Sequence, residues 1–255
     1  FVIHKINFNK YTKVMTIYEL QTKLYESLKD SRWNEKLKLF ILSQDFANIL
    51  IELYNQSQSG KSFTPIIKDV FKAFRECPYD KLKVVIIGMD PYPQFGVADG
   101  IAFSCSYTKK EQPSLRYIFD EIFNTVYLPK IDDNFRIERK DFNPDLTRWC
   151  NQGVLLLNTG LTCEIGVSGS HIQLWKPFII HLLRQLNEYN TGLVYVFLGT
   201  KAKEYHTEIS SNNYKLLANH PAFAVYSKLK RWDSGNLFNN INDILQKNYG
   251  ETIIW

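Results

Sequence analysis

Apolar residues recur at helical spacing from Ile17 onward, where Leu20, Leu24 and Leu28 complete one face of a first helix. Trp33–Tyr54 is rich in Leu, Ile and Phe at the same spacing, and the polar run NQSQSGKS, residues Asn55–Ser62, reads as a loop. Asp69–Arg75 is a short helix candidate. The pattern then changes. Lys83–Met89 (KVVIIGM) is a continuous β-branched run, which fits a strand buried on both faces. Three further short apolar runs follow, at Val154–Asn158, Leu193–Leu198 and Lys215–Ala218. Helical patterns separate them at Ser114–Val126 and at Gln173–Tyr189, where Leu174, Phe178, Leu182 and Leu186 align. Another, Asn236–Tyr249, closes the chain. Leu128–Asp145 is charged and irregular and reads as a surface excursion.

Strands alternating with helices predict an α/β fold. The expectation is a single domain with a central four-stranded parallel sheet flanked by helices on both faces. No internal repeat and no second domain stand out. Residues 1–14 read as an extension outside the fold, because the first helical pattern begins just after Met15, and residues 15–255 as the domain. In such sheets functional groups gather beyond the carboxyl ends of the strands. Each predicted strand here ends in a polar cluster: DPYPQ, NTGLT, GTK and NHPA in chain order.

Composition adds little to this picture. The chain has 255 residues, 45% hydrophobic and 22% charged, ordinary values for one globular domain. A formal charge of +5 is compatible with a polyanionic partner but does not select one. Cys77, Cys105, Cys150 and Cys163 form no C-x-x-C pair, so their spacing does not read as a zinc or iron–sulfur site. Reduced, mostly buried thiols in an intracellular protein are the expectation. No apolar run reaches the roughly 20 residues of a membrane span. The N-terminus lacks a signal-peptide cleavage pattern. The cytoplasm is therefore expected, or a nuclear or host-cell compartment if the source is eukaryotic or viral.

The strand-end clusters carry a resemblance. KVVIIGMDPYPQFGVADGIAFS resembles the water-activating segment of family I uracil-DNA glycosylases, usually G-Q-D-P-Y-H. EQPSLRYIFDEI is similar to that family's proline-rich phosphate loop. DLTRWCNQGVLLLNTGLT, with SGSH ending at His171, is similar to its uracil-recognition strand. FLGTKA resembles its Gly-Ser loop, and NHPA the start of its leucine loop, H-P-S-P-L. The matches run in family order from about Trp33 to about Leu245.

The resemblance implies an enzyme that flips uracil out of single- or double-stranded DNA and hydrolyses the N-glycosidic bond. Free uracil is released and an abasic site remains for base excision repair. It implies Asp90 as the carboxylate that positions water and opposes positive charge on the sugar. It implies His220 as the donor to uracil O2 as negative charge develops there. The amide of Asn158 complements uracil O4 and N3–H, whereas cytosine carries the inverse pattern. Phe103 stacks on the flipped base, Tyr92 stands against C5, and the backbone N–H of Met89 replaces a family glutamine amide. Pro113, Ser114, Gly199 and Thr200 touch phosphates, while Lys201, Lys228, Lys230 and Arg231 attract the backbone. No cofactor or metal is implied, no membrane is involved, and a monomer is expected. Without the resemblance, Asp90 and Asn158 read as strand-end residues capping backbone, and each lysine as solvated surface.

Three positions depart from the family pattern. Pro93 stands where a histidine follows Asp-Pro-Tyr, Ala222 replaces the serine of H-P-S, and the segment from His220 to Asn236 is short. Ala224 occupies the position of the intercalating leucine, so Phe223 and Tyr226 are the nearest candidates for a wedge. Two functions remain open at this point: a working glycosylase, or a weakly active or inactive DNA-binding accessory on the same fold.

Overall fold

The computed structural model describes residues 5–6, 15–131 and 137–255. Its centre is made by the four apolar runs, β1 (Val84–Gly88), β2 (Val154–Asn158), β3 (Val194–Leu198) and β4 (Tyr214–Ala218). They pair in the order β2-β1-β3-β4, all parallel, which is the predicted sheet. Every residue of β1, β2 and β3 is buried, as strands covered on both faces must be. β4 is the open edge, with Tyr214 and Leu217 exposed.

Helices cover both sides. α1 (Ile17–Glu26) opens on a capping box between Thr16 and Glu19. The apolar region Trp33–Tyr54 divides into α2 (Trp33–Ile41) and α3 (Gln44–Gln58), because the hydroxyl of Ser43 accepts the Phe46 N–H and starts a new helix. α3 therefore extends into the polar run at Asn55–Ser62, which is a loop only in its second half. α4 (Lys72–Glu76), α5 (Pro113–Ile122), α6 (Thr147–Cys150), α7 (Ile172–Tyr189), α8 (Thr200–Lys203), α9 (Pro221–Tyr226) and α10 (Leu237–Tyr249) follow. α5 stops before the predicted Val126 and continues as a π-turn over Phe123–Tyr127. One aromatic layer joins Phe40, Phe46, Phe71, Phe74, Trp175 and Phe178.

The stretch Leu128–Asp145 is not a simple surface excursion in its described part. Phe142 is buried with its ring 5.0 Å from Phe119, and Arg139 bonds Glu111 and Asp120 at 2.8 and 2.5 Å. Nor does the last helix close the fold. Trp255 is buried against Trp149 and Phe238, and its carbonyl accepts the Tyr127 hydroxyl at 2.7 Å. Of segment 1–14, Lys5–Ile6 pairs antiparallel with Met15–Thr16; the rest lies outside the described residues. All four cysteines are buried free thiols. Burial pushes the Cys77 thiol up to about 12 and the Cys105 thiol to about 11.

The topology sets the site. From β1 the chain crosses to β2 on one side, and from β3 it crosses to β4 on the other. A crevice therefore opens beyond the carboxyl ends of β1 and β3. The register brings Gly88 opposite Asn158, and a bond of 3.0 Å from Gly199 N–H to the Ala218 carbonyl draws the ends of β3 and β4 together.

Candidate active site

A cavity of about 360 Å³ occupies that crevice. Its lining includes Met89, Asp90, Tyr92, Phe103, Ser114 and His220. Asn158 closes a small cleft behind it, sharing Pro91, Tyr92 and Phe103 with the main chamber. The first and last strand-end clusters thus meet at this cavity and the second reaches it through the cleft, while the GTK cluster lies outside its lining.

Asp90 follows β1 and is partly buried. Its Oδ2 accepts the Ser168 hydroxyl at 2.8 Å and the Gly169 N–H at 2.5 Å. Among the described residues no protein group bonds Oδ1, so that oxygen is left for a ligand or water. Burial raises the carboxyl pKa above its ordinary value, against the opposing pull of the Gly169 and Ser168 hydrogen bonds.

His220 caps α9. Its Nδ1 accepts the Ala222 N–H at 3.1 Å, so the neutral ring carries its proton on Nε2 as a free donor. Burial pushes its pKa down to about 4, which keeps the ring neutral at physiological pH. The ring lies 5.6 Å from that of Phe103, tilted by 36°. Gly199 makes room for it. At φ +87° this position favours glycine, and a Cβ there would sit 2.8 Å from the His220 Cβ.

Asn158 is 8% exposed, yet among the described residues its amide has no hydrogen-bond partner. Its N and O are not among the fully buried unpaired polar atoms, so the amide still meets solvent at the cleft and is open to a planar ligand of matching donor–acceptor pattern. A Cβ on Gly88 would lie 2.6 Å from Asn158 Oδ1 and 3.0 Å from Phe103 Cζ. Glycine at 88 is therefore what lets amide and ring meet over the strand end.

Phe103 is the third residue of an Ile101–Ser104 turn and has φ +66°. The left-handed region costs a non-glycine residue roughly 1–2 kcal/mol, so surrounding bonds must hold it. Its carbonyl accepts the Tyr92 hydroxyl at 3.2 Å. Buried Asp99 stands beneath the same turn.

Pro113 and Ser114 start α5 at the cavity wall, where Ser114 carries an N–H and a hydroxyl suited to an anion and Pro113, which has no N–H, only shapes the turn. Gly199 caps α8 against the His220 side chain and Thr200 begins the helix, but neither lines the chamber, and Lys201 is paired with Glu204 at 2.9 Å. Lys228, Lys230 and Arg231 are exposed beyond α9. On α9 itself Ala224 is fully buried, whereas Phe223 and Tyr226 are 56% and 84% exposed. Tyr226 borders the cavity; Phe223 does not. Ser168 and Gly169, which hold Asp90, and Gly88, which frames the pocket, escaped the sequence reading. Their partners are distant in sequence, and only the S-G-S-H string hinted at the first two. No group of three or more His, Cys, Asp or Glu among the described residues is placed to hold a metal ion.

A parallel α/β sheet thus brings an acid, a neutral imidazole and an unpartnered amide to a half-open crevice and the cleft behind it. The chain belongs to the uracil DNA glycosylase superfamily, whose description matches residues 74–246. It is 32% identical over 225 residues to uracil-DNA glycosylase 1 of Listeria innocua, covering 88% of this chain and 96% of that protein. It is also 32% identical over 237 residues to the uracil-DNA glycosylase of Acinetobacter baumannii strain AYE, covering 92% and 95%. The crystal structure of mimivirus uracil-DNA glycosylase has the same fold, with a TM-score of 0.74 at 23% identity, covering 89% of this chain and 88% of that one.

Proposed function

We propose that this chain is a monofunctional uracil-DNA glycosylase acting in base excision repair, and that residues 15–255 are its working unit. The observation that carries the assignment is the unpartnered Asn158 amide, open to the small cleft directly behind the cavity that holds Asp90 and the neutral His220. Extrusion of the base costs a few kcal/mol, and the pocket recovers it through stacking on Phe103 and hydrogen bonds to Asn158. The C1′–N1 bond then breaks, leaving positive charge on the sugar and negative charge on uracil. His220 Nε2–H donates to O2, and the Asp90 carboxylate opposes the sugar cation while Oδ1 holds a water. That water attacks C1′ and gives its proton to Asp90, completing a deoxyribose hydroxyl; uracil leaves as its anion and takes a proton from solvent. No metal or cofactor enters this sequence. The enzyme works as a monomer, and no described helix is long and apolar enough to cross a membrane. The cytoplasm, or a nuclear or host-cell compartment, is its place of action. The direct test is uracil release from single- and double-stranded oligonucleotides. Tight DNA binding with no release would instead assign an accessory DNA-binding role.

Specificity follows from the pocket walls. Tyr92→Ala should gain weak thymine release by making room for the C5 methyl, and Asn158→Asp weak cytosine release by reversing the hydrogen-bond pattern. Both are read by base release from oligonucleotides carrying T or C at the target site. Comparable thymine release by the unmodified protein would remove Tyr92 from this role.

Gly88→Ala is expected to lower kcat/KM by roughly tenfold or more, because displacing Asn158 or Phe103 by even ~1 Å misaligns the base. Unaltered kinetics would mean the amide can move aside at no cost.

Tyr226, at the cavity rim, is the wedge that fills the gap in the stack, with Phe223 one turn behind it. Tyr226→Ala should lower activity on duplex uracil roughly tenfold while sparing single strands, which have no stack to hold open. Phe223→Ala should have the smaller effect. Equal losses on both substrates would point to a packing defect, and full duplex activity in the double variant would exclude a wedge on α9. Pro113, Ser114, Gly199 and Thr200, with Lys228, Lys230 and Arg231, follow the phosphates, so binding should weaken as salt rises.

A further inference from the structure

We propose that Asp99 is a positioning residue of the base pocket, fixing the left-handed backbone of Phe103 and, through the Phe103 carbonyl, the hydroxyl of Tyr92. The inference rests on the uracil-glycosylase reading of the cavity but names a residue outside its lining. Asp99 is completely buried. Its Oδ1 accepts the Ile101 N–H at 3.1 Å. Its Oδ2 accepts the Ser104 hydroxyl at 2.6 Å, the Ser106 N–H at 3.0 Å and the Ser106 hydroxyl at 2.5 Å. Lys72 Nζ stands 3.5 Å from Oδ2 and donates to Ser106 Oγ at 3.3 Å, which ties the cage to α4. These bonds grip the chain on both sides of Phe103, the buried aromatic in this loop at φ +66°.

A left-handed aromatic persists only where its neighbours over-determine it. The Asp99 cage does so from two residues before Phe103 to three after it. The turn also aims the Phe103 carbonyl at Tyr92, whose hydroxyl donates to it. One carboxylate thus sets the stacking face and the wall against C5 together. Asparagine cannot reproduce the cage. Its NH2 would face the Ile101 N–H in one orientation, or the Ser106 N–H and the two serine hydroxyls in the other, and Lys72 would lose its counter-charge.

The test is a double-mutant cycle on single-stranded uracil DNA, at a temperature where circular dichroism finds every variant folded. Asp99→Asn should lower kcat/KM roughly tenfold, mostly through KM, because stacking acts on the bound base before as well as during cleavage. It should also raise thymine release relative to uracil release. In the Phe103→Ala background the same change should cost no more than about twofold, since the ring it positions is gone. An equal loss in both backgrounds would make Asp99 a residue of general stability and overturn the proposal. A crystal structure of Asp99→Asn decides the point without any activity. Phe103 should leave the left-handed region and its carbonyl should lose Tyr92; an unchanged loop refutes the proposal. Absence of uracil release by the parent protein would refute the glycosylase reading alone, leaving the crystallographic result to judge Asp99. Ser106→Ala removes a single hydroxyl donor and carries the same cycle, with smaller effects, if Asp99→Asn does not fold.

Discussion

Asp90→Asn is expected to lower kcat by about 10²-fold or more while binding of uracil-containing DNA changes only a few-fold. Asparagine has the shape of aspartate and keeps an oxygen for the Ser168 hydroxyl and the Gly169 N–H. What it removes is the charge facing the sugar cation and the acceptor for the proton of the attacking water. Both matter mainly in the transition state, so the loss belongs in kcat. The pH profile provides a second reading. Burial raises the Asp90 pKa, and the ionised form is the active one, so the rate should fall as pH drops through a value above 3.8. That acid limb should vanish from the residual rate of Asp90→Asn. Stability should move the other way. A carboxyl whose folded pKa is raised contributes stability below its unfolded pKa and loses it as pH rises through the folded one. At neutral pH ionised Asp90 therefore costs stability, and the asparagine variant should melt no lower than the parent. A variant that retains near-normal kcat, or one that loses activity only because it melts early, would remove Asp90 from the chemistry.

How much of this was legible from the chain alone depends on the range of the forces involved. The sheet was legible because three of its strands are short uninterrupted apolar runs, a signal that Val84–Gly88 and Val194–Leu198 display without help from partners. The division between α2 and α3 was blurred, since Ile41 and Phe46 continue one apolar face across a break made by a single serine cap. The part of Leu128–Asp145 near Phe142 looked solvated because its charges are local, whereas the ring contact that buries Phe142 is with Phe119. In the site, Asp90, Asn158 and His220 were singled out only by the family resemblance, since on their own they read as strand-end or loop residues. The groups that hold them were not recognised as such. Ser168 meets Asp90 across 78 positions, and the worth of Gly88 and Gly199 lies in the side chains of Asn158 and His220 that a Cβ would strike. At the leucine position the sequence left Phe223 and Tyr226 as alternatives; Ala224 turns inward on α9, and helical geometry puts Tyr226, not Phe223, at the cavity rim.

His220→Leu should also reduce kcat by about 10²-fold or more, through the opposite charge of the same transition state. The Ala222 N–H occupies Nδ1, so the only proton the neutral ring offers is on Nε2, inside the cavity. A neutral donor suits a leaving group whose negative charge grows during bond cleavage, because the hydrogen bond strengthens as O2 becomes more basic. With the pKa pushed down to about 4 by burial, the ring should not titrate between pH 6 and 9, and the rate profile should show no His220 inflection there. The stability effect has a definite sign. The folded pKa lies below the unfolded value of about 6.5, so the unfolded chain takes up the proton first. His220 therefore supports the fold above pH 6.5, and that support is lost as pH falls from 6.5 towards 4. His220→Leu should flatten the dependence of melting temperature on pH within that window. Gly199→Ala supplies the geometric counterpart, since its Cβ would press on the His220 Cβ and should lower kcat while leaving the imidazole neutral. Nitrogen-15 NMR of the ring in the intact protein checks the whole assignment. A protonated Nε2 with an unprotonated Nδ1 at pH 7 is expected, and an imidazolium at that pH would overturn the neutral-donor role.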